Sequence, residues 1–296
     1  MMSTTTSPAA RLRQALAENQ PLLLPGLHDA LSARLVERAG FSVGYLSGSA
    51  TAMSLLGLPD IGLLTGSEII EHARRITAVC DLALVCDGDT GFGNAVNVAY
   101  TVKCMEAAGV AAIQLEDQTF PKRCGHFAGK SVVAAEEMIE KLHAAAEARS
   151  DDFVIIARTD ARAVHGLEDA IERGRLYADA GADIIFVEAL QTVAELRQVA
   201  GSIAAPTLVN VVEGGQTPQL PLADYAELGF SVVLYPTAAV RTATYALDAL
   251  YGHLHETGTS EGAPVPMTSF ASRNEINDLA SYQAIGERAA AAAGSA

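Results

Sequence analysis

Short apolar segments rich in Val, Ile and Leu recur along the chain, separated by longer amphipathic segments. Hydrophobicity within each short segment is nearly continuous rather than alternating, which is typical of strands buried on both faces of a parallel sheet. Eight strands are predicted, at residues 21–26, 42–48, 82–89, 111–117, 153–160, 183–189, 207–215 and 231–236.

The amphipathic segments between these strands are predicted helices. Several end at a glycine that is followed at once by the next strand, as in ERAGF, EAAGV, ADAGA and AELGF, and glycine is the usual residue at a helix C-terminus. Eight strands alternating with eight helices favour a (β/α)8 or TIM barrel. An open doubly wound sheet is the alternative, but no G-x-G-x-x-G fingerprint follows the first strand. We therefore predict a catalytic barrel at residues 1–256 and, at residues 257–296, a linker and a C-terminal helical tail that packs on a partner subunit.

Composition narrows the possible partners and the compartment. The chain has 296 residues, 50% of them hydrophobic, and a net charge of −15. This charge repels nucleic acid and anionic lipid, so neither is an expected partner. No segment reaches the roughly 18–20 apolar residues of a membrane span, and the first residues lack the apolar core of a secretory signal. Four cysteines without paired spacing predict reduced thiols in a cytoplasmic protein.

Polar side chains gather at the C-terminal ends of the predicted strands, whereas the strand starts are apolar. In a TIM barrel this end carries the chemistry. One such residue alone could simply cap the following helix, but agreement among six strands indicates a site. The residues are Ser47, Gly48, Ser49, Asp87, Asp89, Glu116, Asp117, Arg158, Asp160, Glu188, Asn210 and Glu213.

The acidic residues of this set predict a metal site. Asp87 and Asp89 are two positions apart on one strand, so their side chains point the same way. Asp60, in the sequence GLPD, and Glu116 can converge on them from neighbouring loops. Oxygen ligands without thiolates or clustered histidines suit Mg²⁺, or else Mn²⁺. A purely structural carboxylate network is the alternative.

Arg158, at the end of the fifth strand, predicts an anion site. Its planar guanidinium fits a substrate carboxylate or phosphate, and an ion pair with Glu188 or Asp160 is the alternative. Acidic residues that bind a metal ion, together with an arginine that binds an anion, suggest a small substrate with several negative charges.

The segment after the fourth strand, EDQTFPKRCGHFAGK, places Lys122, Arg123, Cys124 and His126 among glycines. A glycine-rich loop at this end of a barrel can close over a substrate and exclude water. The two cations would attract an anion and lower the pKa of the Cys124 thiol. Zinc is disfavoured here, because a structural zinc ion needs four ligands and no second pair is present.

Several of these motifs resemble those of one family. YLSGSA, GLPD, DGDTGFGN, LEDQ, PKRCGH, IIARTDA, FVEA and NVVEGG are similar, in order and spacing, to the isocitrate lyase/phosphoenolpyruvate mutase superfamily over about residues 20–255. The KRCGH loop resembles the lyase branch, especially 2-methylisocitrate lyases and 2,3-dimethylmalate lyases. The resemblance implies a TIM barrel, Mg²⁺ in each site, and a homotetramer of dimers that exchange a C-terminal helix. It also implies retro-aldol-type cleavage of a 2-hydroxy acid to an α-keto acid, such as pyruvate or glyoxylate, and a second acid such as succinate.

The resemblance also implies a role for each matching residue. Cys124 resembles the general acid with Gly125 and His126 as its loop partners, and Tyr45 lies where the lyases have a candidate base. Asp87 and Asp89 resemble the metal carboxylates, with Asp60 and Glu116 acting through water, and the backbone of residues 47–49 resembles the segment that holds the keto-acid carboxylate. The implied substrate contacts are Ser47, Gly48, Ser49, Gly125, Arg158, Glu188, Asn210, Glu213, Arg241 and Arg273.

The substrate signals conflict. EGG at residues 213–215 and FAGK after the Cys-Gly-His motif resemble the dimethylmalate type. Arg241 and Arg273 match positions that methylisocitrate lyases use for a tricarboxylate, and these two residues slightly favour the larger substrate. Two further alternatives stay open, an oxaloacetate hydrolase or decarboxylase on the same site and a non-catalytic binding protein, although the latter has no need for a mobile Cys/His loop.

Overall fold

The eight predicted strands form one closed parallel barrel. The computed structural model describes residues 6–18, 21–123, 125 and 129–294. Within these residues the strands pair in chain order, and β1 pairs with β8 to close the barrel. The strands β1 to β8 are Leu22–Leu27, Val43–Leu46, Ala83–Asp87, Ala112–Glu116, Val154–Thr159, Ile184–Val187, Thr207–Asn210 and Val232–Tyr235. The TIM barrel predicted from the sequence is confirmed.

Helices surround the barrel and extend beyond it. The helices α1 to α12 are Pro8–Glu18, Ala30–Arg38, Gly48–Thr51, Gly66–Thr77, Ala95–Ala107, Ala135–Ala148, Leu167–Asp179, Val193–Ser202, Leu222–Leu228, Ala238–Thr257, Phe270–Ile276 and Leu279–Gly294. A π-helix, Ala52–Leu56, continues α3, and a 3-10 turn, Ala161–Ala163, follows β5. None of the described helices is long and apolar enough to cross a membrane.

Alternation along the strands divides the apolar side chains between two cores. One set fills the barrel interior, including Val85 on β3, Ile156 on β5 and Phe186 on β6. The neighbouring residues of the opposite parity, such as Leu84 and Ile155, pack outward against the helices. Because side chains in a strand alternate with period 2, the parity that fills the interior also fixes which residues point inward at the C-terminal end.

Helix α1 was not predicted from the sequence. Its buried residues Ala9, Leu12 and Ala15 belong to the same apolar cluster as the inward side chains of the barrel. The helix has only one narrow apolar stripe in an otherwise polar segment, so its hydrophobic pattern is weak. Its burial depends on the barrel, which explains why the local sequence does not reveal it.

The C-terminal region forms its own compact unit. Residues up to 240 make up one unit and residues 241–296 the other, with α10 continuing from the first into the second. The predicted C-terminal helical tail is not one continuous helix, since α11 ends at Ile276 and α12 begins at Leu279. Asp278, between them, has a φ of 55°, which a continuous right-handed helix excludes. The functional boundary predicted at residue 256 stays a prediction.

A buried polar network behind the strand ends involves Asp117. Its Oδ2 atom accepts hydrogen bonds from Thr159 Oγ1 at 2.7 Å and Tyr177 OH at 2.8 Å, and it lies 3.2 Å from Arg173 Nη1. Its Oδ1 atom accepts from the backbone N–H of Asp160 at 2.9 Å. These contacts fix the end of β5 against α7, and Asp117 therefore has a structural role.

Asp117→Asn is expected to lower the free energy of unfolding by about 3 kcal/mol, because an amide cannot satisfy the three donors at Oδ2 and leaves a buried charge short of its partner. Urea denaturation measures the change. The control is Glu71→Gln, which breaks an exposed ion pair with Arg75 and should cost less than about 1 kcal/mol. Equal effects of the two substitutions would contradict the role assigned to Asp117.

Candidate active site

The inward parity of the strands gathers polar side chains at the C-terminal end of the barrel. On β3 the inward series Ala83, Val85 continues to Asp87, and on β6 the series Ile184, Phe186 continues to Glu188. The same alternation on the other strands brings Tyr45, Glu116, Arg158 and Asn210 to one cavity. This cavity has a volume of about 80 Å³, and its lining also includes Ser47, Ser49, Asp60, Lys122, Arg123, Gly125, Val212, Leu234, Pro236 and Thr237.

Asp87 is held in one orientation by three donors. Its Oδ2 accepts from the backbone N–H of Gly48 at 3.2 Å, and its Oδ1 accepts from the N–H of Asp89 at 3.1 Å and from Gln114 Nε2 at 3.4 Å. A Cβ at position 48 would lie 2.9 Å from Asp87 Oδ2, so only glycine allows this approach. Residues 47–49 are the segment predicted to hold a substrate carboxylate. Within this segment the Gly48 N–H already donates to a protein carboxylate.

Lys122 places its ammonium between the acids. It forms ion pairs with Asp60 and, at 2.7 Å, with Asp89 Oδ1, and its side chain is 4% exposed. Burial raises the pKa of Asp89 to about 7, and Asp87 adds to the shift although Lys122 opposes it. Burial also disfavours the charged form of Lys122, but the surrounding carboxylates outweigh it and raise its pKa.

Glu116 supplies an oxygen without a protein partner. Its side chain is buried, and its Oε1 atom accepts no hydrogen bond within the described part of the chain. Burial raises the pKa of Glu116 well above its ordinary value, although Arg158 opposes the shift. A buried, unsatisfied carboxylate oxygen is costly unless a cation or proton meets it.

These carboxylates fit a hard divalent cation. Among the described residues no three His, Cys, Asp or Glu side chains are positioned to hold one ion together. Mg²⁺ does not require that, because it takes one or two protein carboxylates and completes its shell with water and substrate. Asp87 and Asp89, with Asp60 and Glu116 behind them, match such a site.

Arg158 lies next to this cluster, with its Nε atom 3.5 Å from Glu116 Oε2. Its Nε and Nη2 atoms donate to the two oxygens of Asp160 at 2.9 and 3.0 Å, and Nη2 lies 3.4 Å from Glu188 Oε2. The guanidinium carbon lies 5.2 Å from the centre of the Phe186 ring. Arg158 thus forms the ion pairs of the structural alternative and also lines the cavity, and its role as an anion site stays a prediction.

Glu188 and Asn210 complete that side. Asn210 Nδ2 donates to Glu188 Oε2 at 3.2 Å, and the backbone N–H of Ala189 donates to Glu188 Oε1 at 2.9 Å. Ala189 has a φ of 60°, an uncommon conformation for a residue with a Cβ. Both predicted substrate contacts thus lie at the cavity and are fixed by the backbone around them.

Tyr45 and Gln114 form a buried pair beside Asp87. Tyr45 OH donates to Gln114 Oε1 at 3.0 Å. Gln114 Nε2 faces the Asp87 carboxylate. If the Gln114 amide were flipped, its oxygen would face the carboxylate oxygen, and both atoms are acceptors. Burial, together with the charge of Asp87, raises the pKa of Tyr45 well above its ordinary value. The phenol is therefore neutral at rest, and its assignment as a base stays a prediction.

Five further predicted residues have no described place in the cavity lining. Glu213 follows β7 by three residues, is half-buried and does not line the cavity. Arg241 and Arg273 belong to the C-terminal unit, where the Arg273 guanidinium stacks on Phe270 at 5.0 Å. Cys124 and His126 lie outside the described residues. The roles assigned to these five residues stay predictions.

The structure also adds residues that the sequence reasoning left out of the site. Gln114 lies inside an apolar strand run, and its parity with Glu116 is the signal that could have found it. Lys122 and Lys130 were noted only as loop cations, whereas both form ion pairs with buried acids. In the sequence, Phe186 is simply one apolar residue of a predicted strand.

Comparison with known proteins identifies the family. The phosphoenolpyruvate phosphomutase family profile matches residues 12–255. The chain belongs to the isocitrate lyase/phosphoenolpyruvate mutase superfamily. It is 44% identical to the 2,3-dimethylmalate lyase of Eubacterium barkeri, with 94% of this chain and 96% of the relative covered. It is 43% identical to the 2-methylisocitrate lyase of Halalkalibacterium halodurans, with 93% and 90% covered.

Solved structures of this superfamily share the fold. A 2,3-dimethylmalate lyase superposes with a TM-score of 0.90 at 34% identity, covering 96% of both chains. Oxaloacetate acetylhydrolase bound to 3,3-difluorooxalacetate gives 0.91 at 31%, covering 96% of this chain and 98% of the other. Phosphonopyruvate hydrolase with oxalate and Mg²⁺ gives 0.85 at 34%, covering 95% and 99%. The predicted superfamily and the predicted enzyme class, a carbon–carbon lyase, are confirmed by these relatives.

Lys122→Met is expected to lower the free energy of unfolding by about 3 kcal/mol in EDTA, because Asp60 and Asp89 lose their buried cation. Added Mg²⁺ should restore part of the loss, since a cation at these carboxylates supplies the missing charge. Urea denaturation with EDTA or with Mg²⁺ measures both effects.

The matched control for this substitution is Lys103→Met, on the exposed face of α5. It should change stability by less than about 0.5 kcal/mol in either condition. A stability of Lys122→Met equal to that of the control would show that the ion pairs contribute nothing.

Proposed function

We propose that the protein is a Mg²⁺-dependent carbon–carbon lyase that cleaves a 2-hydroxy di- or tricarboxylate to an α-keto acid and a second carboxylic acid. The observation that carries the proposal is that one cavity is lined by the carboxylate of Asp87, by the guanidinium of Arg158 and by Gly125 of the Cys-Gly-His motif. A substrate with several carboxylates matches a cavity that offers both a metal site and a guanidinium.

The relatives support this reaction class and leave the substrate open. Lyases named for 2,3-dimethylmalate and for 2-methylisocitrate are 44% and 43% identical to the chain, a difference too small to choose between them. The Arg241 and Arg273 pair makes us favour the tricarboxylate, with 2,3-dimethylmalate as the alternative.

Each part of the site has a task in this reaction. A divalent ion bound near Asp87 and Asp89 would polarise the 2-hydroxyl group and its carboxylate and so favour loss of the hydroxyl proton. Arg158 can bind the carboxylate of the departing fragment, where negative charge develops. The Tyr45 OH donates its hydrogen bond to Gln114, so its oxygen can accept a hydrogen bond from the substrate hydroxyl. Gly48 and Gln114 keep Asp87 in a fixed orientation.

The bond changes balance with one proton acceptor and one proton donor. The hydroxyl proton passes to a buried carboxylate of the site, C2 becomes the keto carbon, the C2–C3 bond breaks, and its electron pair passes to C3 and the neighbouring carboxylate. C3 then takes one proton. We propose Cys124 as the donor with His126 beside it, because Gly125, bonded to Cys124, lies against Arg158 and Glu188.

A second candidate is hydrolysis of oxaloacetate. It is favoured by the superposition with oxaloacetate acetylhydrolase, at a TM-score of 0.91. This reaction would use the same metal and carboxylate contacts but would add water to a carbonyl.

We also propose a homotetramer of dimers that exchange the C-terminal helix. Its support is the row of exposed apolar side chains in the C-terminal unit, namely Phe270, Leu279, Tyr282 and Ile285. Such side chains on two short helices favour burial against another surface.

The function is tested by incubating the protein with Mg²⁺ and a panel of 2-methylisocitrate, isocitrate, 2,3-dimethylmalate and oxaloacetate, with keto-acid release followed. We expect release from a 2-hydroxy acid and none in EDTA. The test substitution is Asp89→Asn, because asparagine tolerates the φ of 46° at this position. It should lower kcat/KM by more than about 100-fold, which is the upper cost of losing a residue that only supports a metal ligand.

The matched control is Asp179→Asn, at the exposed end of α7, which should leave the rate unchanged. Oxalate and acetate from oxaloacetate, without cleavage of any 2-hydroxy acid, would favour the hydrolase. Full activity of Asp89→Asn in EDTA would exclude the metal site.

Substrate size is tested by the double substitution Arg241→Ala, Arg273→Ala. If both arginines contact a third carboxylate, kcat/KM for the tricarboxylate should fall by about 10⁴-fold, as expected when a site loses the polar partners of a substrate group. The value for the dicarboxylate should change little. If the double substitution leaves kcat/KM unchanged for every substrate, the result would instead favour 2,3-dimethylmalate.

A further inference from the structure

Lys130 is a buried lysine that the proposed chemistry leaves unused. It lies at the end of the motif CGHFAGK, and its side chain is only 2% exposed. Its Nζ atom donates to the backbone carbonyl of Gly125 at 2.5 Å and to Asp160 Oδ1 at 2.7 Å. One ammonium thus joins a glycine of the loop after β4 to the end of β5.

The Gly125 peptide lies directly on the charged wall of the cavity. A Cβ at this position would lie 2.2 Å from Arg158 Nη2 and 2.8 Å from Glu188 Cδ, so a side chain here would displace the loop from the wall. Gly125 lines the cavity, whereas Lys130 lies outside its lining. Lys130 therefore acts on the site through the Gly125 carbonyl and Asp160.

Asp160 links this lysine to Arg158. Its Oδ1 atom accepts from both Lys130 Nζ and Arg158 Nη2, at 2.7 and 3.0 Å. Burial would raise the pKa of Asp160, but the two cations outweigh it and lower the value. The carboxylate therefore keeps its charge and holds the loop and the guanidinium in a fixed relation.

Stability alone is a weak reason for this arrangement, because a buried ion pair often contributes no more than an apolar pair of the same size. Its geometry has a clearer consequence. We propose that Lys130 is a positioning residue that ties the Gly125 peptide to Asp160 and thereby holds this peptide against Arg158 and Glu188. The role rests on the proposed function, in which Cys124, the residue bonded to Gly125, donates the proton that completes cleavage.

The proposal predicts an effect on turnover rather than on binding. Lys130 touches no surface of the cavity, so Lys130→Met should change KM by less than about threefold. Misplacement by 1 Å at a reacting group can cost about 100-fold in rate, so kcat should fall by about 10- to 100-fold. Lys103→Met, on the exposed face of α5, is the matched control and should change neither constant.

A second readout does not depend on catalysis. Trypsin cleaves after lysine and arginine, and Arg123 precedes the tied segment. With Mg²⁺ and oxalate added as the probe, mass spectrometry follows cleavage of the bond after Arg123. Lys130→Met should be cut there about tenfold faster than wild type and the Lys103→Met control, at unchanged circular dichroism.

The outcomes separate the two proposals. Cleavage after Arg123 at the wild-type rate in folded Lys130→Met overturns the role of Lys130, whether or not a substrate is known. Absence of keto-acid release by wild type overturns the proposed function and leaves the proteolysis result to decide on Lys130. If Lys130→Met does not fold, Lys130→Gln is used, and it should give the same faster cleavage. A rise in KM at unchanged kcat would show a substrate contact and overturn the positioning role.

Discussion

The structure depends on balancing the negative charge that the barrel buries at its C-terminal end. Six carboxylates meet there among the described residues, those of Asp60, Asp87, Asp89, Glu116, Asp160 and Glu188. Each of three buried cations pairs with at least one of them: Lys122 with Asp60 and Asp89, Arg158 with Glu116, Asp160 and Glu188, and Lys130 with Asp160. Acids remain in excess of cations, and burial, with neighbouring acids adding to it, raises the pKa values of Asp89 and Glu116. A divalent ion would relieve this excess.

Two of the three cations come from one loop, and this fact couples loop position to charge balance. Lys122 and Lys130 flank the Cys-Gly-His motif, and each reaches an acid on a different strand end or loop. A loop that moved away would leave Asp60, Asp89 and Asp160 with less compensation in a poorly solvated site, which is costly. The Lys130 ammonium, which stabilises a buried acid, therefore also holds the Gly125 peptide at the cavity.

The sequence predicted the strands and most of the cavity because both follow from period-2 alternation. Asp87, Glu116, Arg158 and Glu188 extend apolar inward series, so strand boundaries alone bring them together. Long-range partners could not be predicted in this way. Nothing local shows that Lys130 reaches Asp160, that Gln114 orients Tyr45, or that α1 packs against the barrel interior, since each depends on segments far apart in the chain.

The scaffold by itself does not decide the reaction. Proteins named as a 2,3-dimethylmalate lyase, an oxaloacetate acetylhydrolase and a phosphonopyruvate hydrolase superpose on this chain with TM-scores of 0.85–0.91. One fold can therefore carry several reactions, and binding alone does not select which bond breaks. Selection requires a proton donor or a water molecule placed at the reacting carbon. In this chain the described hydrogen bond to Gly125, at the centre of the Cys-Gly-His motif, comes from Lys130, which lies outside the cavity lining. In the mechanism proposed above, the position of the loop after β4 would therefore bear on whether a carbon–carbon bond is cleaved or water is added.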